Sequence, residues 1–272
     1  MSPLKDTDLF VVNRNGIDYK ITAKELQDYI CPPPPMPWEG YDGGVWHVIL
    51  DPGITNFELG FGVFGDMAVA VWDMDGNLIA ENTYQLGGLG HEEFVFVTSP
   101  NARGLFAACG SYVLGPKTDT SRVTSMEMMF TYGQPKPEMD YTLIDTSNVT
   151  TIEGMFSMAY SIQTFIAPDW DLRKCTNMRN IGLEGATTIN VENWKLGTNV
   201  NCKEMFMSTV DQNFDLSKWD TSGVINMDYM FAWTDYQGDL SMWCVENLTT
   251  PDTFLDNWDP ADPRMPKWGQ PC

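Results

Sequence analysis

Residues 219–231 read Trp219-Asp220-Thr221-Ser222-Gly223-Val224-Ile225-Asn226-Met227-Asp228-Tyr229-Met230-Phe231. A tryptophan opens the stretch, a polar Asp-Thr-Ser follows, and apolar residues then fall at Val224, Met227, Met230 and Phe231. The template recurs upstream. Ile144-Asp145-Thr146-Ser147 leads to Val149, Ile152, Met155 and Phe156, and Thr118-Asp119-Thr120-Ser121 leads to Val123, Met126, Met129 and Phe130. Trp170 leads to Cys175, Met178 and Ile181, and looser copies start at Phe94, Trp194 and Trp243, the second passing through Met205 and Phe206. The seven starts (94, 118, 144, 170, 194, 219 and 243) lie 24 to 26 residues apart. A near-constant period of this size marks an array of stacked units.

Within each unit the apolar steps of three and then one describe one face of a short α or 3₁₀ turn. Before the tryptophan the pattern alternates, as in Phe214 and Leu216 or Ile189 and Val191, which predicts strands of a few residues. Thr124 with Glu127, and Thr150 with Glu153, have capping-box spacing for a helix start. One unit cannot bury its apolar face alone, so neighbours must stack. The repeat core is assigned to Trp170, Trp194, Trp219 and Trp243 with Met126, Met129, Met155, Met178, Met205, Met227 and Met230.

The wording W-D-T-S-x-V-x-x-M-x-x-M-F resembles the BspA-type leucine-rich repeat, found in bacterial surface proteins and in proteins of tailed bacteriophages. The match runs over about 165 of the 272 residues, with Gly182 and Lys195 standing where the pattern has Phe and Asp. The resemblance implies an α+β fold: a right-handed leucine-rich-repeat-like solenoid preceded by a small all-β domain and an N-terminal hairpin-helix adaptor. It implies adhesion and display, not catalysis.

The formal net charge is −21, from 16 basic and 37 acidic side chains. Binding to a phosphate backbone needs clustered Lys and Arg, so nucleic acid is not an expected partner. Residues 1–6 lack the charged start and apolar core of a signal peptide, and no apolar run approaches the roughly 20 residues of a membrane span. Membrane insertion is therefore not expected. Six cysteines are too few to scaffold a chain of this length. Cys175 and Cys202 sit at repeat positions and read as buried thiols. Cys244 and Cys272 bracket the last unit and a Pro-rich tail, where a disulfide would fold the tail across the open end.

In order along the chain, residues 1–30 read as a docking adaptor. Two strand-like runs meet at Asn15-Gly16, a strong hairpin signal, and Thr22 precedes a predicted helix over 23–29. So small a unit needs a partner for Phe10, Val12, Tyr19, Ile21 and Leu26. The stretch also resembles the D-L-F-V-V-N-R-x-x-x-x-Y-K module shared by structural proteins of tailed phages of marine cyanobacteria. Residues 31–37 form a Pro-rich linker expected to be polyproline II. Residues 38–93 read as a small β-domain capping the array, residues 94–258 as seven repeats, and residues 259–272 as a cap tail. Asp73-Met74-Asp75-Gly76-Asn77 reads as a hairpin turn, because the remaining ligands of a calcium loop are missing.

His47 and His91 lie in no nucleophile, metal or phosphate motif, so no cofactor, metal or catalytic residue is assigned. Asp119, Asp145, Asp171 and Asp220 recur with the repeat and would form a binding ridge or a solvated loop row. The expectation is a non-enzymatic virion protein on the head or tail of a cyanophage. Its adaptor contacts other virion proteins, and its repeats face a host surface protein or glycan as decoration, adhesion or host-attachment surface, with self-association of copies. The alternatives are a bacterial cell-surface interaction protein and, more weakly, a polysaccharide-cleaving appendage.

Overall fold

The structure is a computed structural model describing residues 9–14, 17–22, 35–55, 57–62, 68–256, 259 and 261–272. Contacts divide the chain into two compact units, 1–39 and 40–272. In the first, β1 (Leu9–Arg14) and β2 (Ile17–Thr22) pair antiparallel, with Phe10 opposite Ile21 and Val12 opposite Tyr19. β-branched and aromatic residues at these positions favour the extended backbone. The Asn15-Gly16 turn, the 23–29 helix with Leu26, and Cys31 with Pro32 to Pro34 lie outside the described residues.

The second unit begins with a five-stranded antiparallel sheet. β3 (Gly44–Leu50), β4 (Ala68–Trp72), β5 (Leu78–Thr83), β6 (Glu93–Thr98) and β7 (Tyr112–Leu114) lie in the order β5-β4-β6-β3-β7. Asp73 closes the β4–β5 hairpin: its carboxylate accepts the backbone N–H groups of Asp75 and Asn77. The Asn77 side-chain amide donates to the other carboxylate oxygen, so Asp73 closes the hairpin turn through both oxygens. Between β3 and β4 the chain makes a 3₁₀ turn at Leu59–Gly62. Trp46 of β3 and Phe96 of β6 pack edge-on against Phe106, at 5.4 and 6.1 Å between ring centroids, so sheet and repeats share one core.

From residue 101 onward the chain returns upon itself once per period. Single parallel bridges join Asn101 to Ser125, Ser125 to Thr151, Thr151 to Asn177 and Asn177 to Asn201. Alternate N–H groups donate to the next tier: Met126 to Thr151, Met128 to Glu153, Phe130 to Met155 and Tyr132 to Ser157. Between these, Met129 donates to Met126, Thr131 to Met128 and Gly133 to Phe130, closing turns within the tier. Short parallel ladders add to the contact. β8 (Thr164–Ile166) pairs with β10 (Thr188–Asn190), β9 (Asp171–Leu172) with β11 (Lys195–Leu196), and β12 (Val200–Asn201) with β13 (Val224–Asn226).

The expected α+β class is corrected by these bonds. Among the described residues there is no α-helix; the helical segments are two 3₁₀ turns, at Leu59–Gly62 and Tyr141–Leu143, and the molecule is nearly all-β. A leucine-rich-repeat-like solenoid with one continuous parallel sheet is not formed either, because the parallel pairings come as separate two-stranded ladders and single bridges. An α-helix would spend every N–H inside the turn, whereas here alternate ones leave for the next tier. The backbone permits this by turning left-handed at two points per tier: Gly104 and Ala108, Met128 and Tyr132, Gly154 and Met158, Glu204 and Ser208, Tyr229 and Trp233, all with φ between 53° and 61°. The proposed capping boxes do other work. Thr150 donates its hydroxyl to the Thr124 carbonyl, Arg103 donates to Glu127, and Asn177 donates to Glu153, so all three link tiers.

Two aromatic columns run through the core. Trp170, Trp194, Trp219 and Trp243 stack face to face at 5.2, 5.7 and 6.2 Å. Each indole N–H donates back to a carbonyl one tier earlier, those of Tyr141, Ala167, Val191 and Leu216. Phe106, Phe130 and Phe156 form the second column, at 5.6 and 5.2 Å, and Phe206 with Phe231 resumes it at 5.6 Å. Met126, Met129, Met155, Met178, Met205, Met227 and Met230 are buried in the same core. Such close-packed interiors lose contacts outright when a group is removed.

Gly182 interrupts the phenylalanine column and has φ of +82°. A Cβ there would lie 2.8 Å from the carbonyl carbon of Phe156 and closer still to the N and Cα of Ser157. The Phe expected from the repeat therefore has no room. Two residues on, burial raises the pKa of the Glu184 carboxyl. Lys195, the other departure, pairs with Asp171 across β9 and β11.

The far end is closed by the tail. Cys244 and Cys272 form a disulfide with Cα atoms 5.4 Å apart, Trp268 packs edge-on against Phe254, and the Gly269 N–H donates to Val245. The bridge closes a 28-residue separation. Loop-closure entropy then predicts that Cys244→Ser with Cys272→Ser lowers stability by about 2–4 kcal/mol. Denaturant melts of the double variant, compared with the oxidised protein, measure this; superimposable melts would show that the tail holds without the bond.

Candidate functional site

The recurring aspartates begin each polar turn, and the local chemistry explains them. Asp119, Asp145 and Asp220 accept the backbone N–H two residues on, from Ser121, Ser147 and Ser222, while Asp171 accepts that of Arg173. These are Asx turns, which bend the chain without a helix. The neighbouring threonines face inward: Thr120, Thr146 and Thr221 donate their hydroxyls to carbonyls of Asp145, Asp171 and Cys244 in the next tier. Hydrogen bonding by Arg173 lowers the Asp171 pKa, and hydrogen bonding by Ser222 lowers that of Asp220. One carboxylate oxygen of each is thus committed to the fold. Among the described residues no group of three or more His, Cys, Asp or Glu is placed to hold a metal ion.

Other candidate chemistry is similarly absorbed. Cys109, Cys175 and Cys202 are free and buried; burial pushes the Cys109 and Cys175 thiols up to about 12 and raises that of Cys202 further. Thiols so rarely ionised are poor nucleophiles. His47 is buried in β3, with Nε2 2.9 Å from Glu93 Oε1 and Nδ1 accepting the Lys117 N–H. A Cβ at Gly115 would run into the ring, so the glycine makes its berth. Burial depresses the pKa of His47, against the opposing pull of Glu93.

The sign follows. The unfolded chain binds a proton on this histidine more readily than the folded one, so stability is full above about pH 6.5 and falls as pH drops below it. Protonation would also take away the acceptor of the Lys117 N–H. His47→Gln should flatten that part of the stability-against-pH curve; an unchanged slope between pH 7 and 5 would exclude the histidine as its source.

Sequence reading missed a cleft on the outer side of the left-handed turns. Ala108, Tyr132 and Met158 occupy equivalent positions in successive tiers, each with positive φ. With Gly133, Gln134, Tyr160 and Ser161 they line an open cleft of about 470 Å³. Tyr132, Met158 and Tyr160 are 51, 44 and 61% exposed. None of the lining side chains is charged, in a chain of net charge −21. A smaller cleft of about 250 Å³ lies along the aspartate row between Asp145 and Asp171. Phe10, Val12, Tyr19 and Ile21, expected from the sequence to dock, lie on paired β1 and β2 in the other unit.

The family model described as "Mycoplasma protein of unknown function, DUF285" matches residues 104–190 and 167–268, together more than half of the chain. The chain belongs to the DUF285 family. Both matches fall within the tiers, and they overlap across the Trp170 and Gly182 unit, so the DUF285 pattern is the repeat itself. This links the chain to BspA-like repeat proteins. The description assigns DUF285 no activity. No curated protein and no solved structure matches the chain.

Proposed function

We propose that this chain is a non-enzymatic display protein of a tailed-phage particle. Residues 1–30 dock it on other virion proteins, and the tiers present an adhesion surface to a host protein or glycan. The reading is carried by the division of the chain: the hairpin of β1 and β2 belongs to a compact unit of its own, apart from the DUF285 tiers. Its sequence is the part that resembles the cyanophage module. Tiers tied by backbone bonds and buried aromatic columns hold their outer side chains in fixed positions, as a display surface requires. The carboxylates, thiols and histidine described above are committed to turns, packing and one histidine–carboxylate hydrogen bond, which supports a binding role over catalysis. Mass spectrometry of purified particles tests the proposal. The chain should be present in constant copy number relative to the capsid protein, and its absence from particles would refute the reading.

A second reading is a cell-associated bacterial interaction protein, favoured by the family description, which names Mycoplasma. Detection on intact cells, without particles, would select it.

A further inference from the structure

We propose that the cleft formed by Tyr132, Met158 and Tyr160 binds a neutral saccharide. This deepens the display reading and rests on it only for where the ligand is met.

The first argument is the fold's own energetics. A non-glycine residue in the left-handed region is strained by about 1–2 kcal/mol, and the fold imposes that conformation at the equivalent position of several tiers, at Ala108, Tyr132, Met158, Ser208 and Trp233. Tyr132 carries this strain and remains half exposed, so burial does little to offset it. Met158 does the same one tier later. The backbone there serves the tier contacts, which leaves the side chain free to vary: Ser208 shows that a small polar residue serves, whereas Tyr132 and Met158 put apolar surface into solvent side by side, as a binding surface does.

The second argument is the chemistry of the lining. Two exposed phenol rings offer flat π-faces, and Gln134 and Ser161 share the lining, the Ser161 hydroxyl donating to the Gly133 carbonyl so that toward a ligand it serves as an acceptor. Pyranose rings present axial C–H groups to such faces and hydroxyls to such polar groups. A volume of about 470 Å³ lies within the range of about 300–1,000 Å³ for small-ligand sites. An uncharged lining in a strongly acidic chain disfavours acidic polymers. Seven lining residues fall short of the roughly 20–30 per side of a standard protein interface, which favours a sugar over a protein partner.

Isothermal titration of the full chain with cellohexaose, maltohexaose, xylohexaose and galactan- and mannan-derived hexasaccharides tests this, with a heparin hexasaccharide as the acidic comparison. At least one neutral probe should bind, and Tyr160→Ala should weaken it tenfold or more. Tyr132→Gly should do likewise while melting no lower than the parent, because the glycine relieves strain as the ring is lost. No binding by any neutral probe, binding by both variants as tight as the parent's, or preference for the acidic probe would each overturn the proposal. So would a protein partner whose capture depends on Tyr132 and Tyr160 when no neutral probe binds. Incorporation into particles is read separately, so a failed titration leaves the display reading standing.

Discussion

Trp194→Ala is expected to cost about 3–5 kcal/mol, the usual range for deleting a large buried aromatic. Trp194 stacks on Trp170 at 5.2 Å and on Trp219 at 5.7 Å, and its N–H holds the Ala167 carbonyl. Alanine would open a hole between two indoles that the backbone ladders keep apart, so the site has little freedom to collapse. It would also leave the Ala167 carbonyl without its indole donor. Trp233 is the internal control. It is 71% exposed, so Trp233→Ala should change stability by no more than about 0.5 kcal/mol. Equilibrium denaturation of the two variants measures the contrast, and similar losses would mean that the column is not where the stability lies.

Gly182→Ala should cost about 2–5 kcal/mol, unusually much for one methyl group. Left-handed strain contributes about 1–2 kcal/mol and overpacking about 1–3 kcal/mol. The obstacle is backbone, at Phe156 and Ser157, and so cannot rotate away. Restoring the repeat's own residue, Gly182→Phe, should be worse still, although it improves the sequence match. A chemical-denaturation midpoint for Gly182→Phe at or above the parent's would show that the tier can reopen and that the glycine is incidental.

That inversion illustrates where the repeat pattern stops informing. Read as a pattern, Gly182 is a flaw in a copy; in the structure it is the residue that lets the neighbouring tier approach. The cleft escaped notice for a similar reason. Tyr132 and Met158 lie two residues past the last apolar position of the template, Phe130 and Phe156, and they meet only because successive tiers superimpose residues 26 apart. Their outward aromatic and thioether character, at positions that a helical face would leave polar, is the one sign present in the sequence. The aspartates were visible, but their turn-closing hydrogen bonds were not.

What the sequence by itself determined is the period of 24 to 26 residues and the burial that goes with it, because an apolar group recurring once per turn of the chain has only its own copies to pack against. What only the tertiary structure decided is the local backbone. Apolar steps of three and one suit a helical turn and a left-handed β-turn equally, since both bring those side chains to one side. The choice fell to the N–H groups: bonding to the next tier satisfies them and binds the layers together, whereas a helix would have closed them on itself.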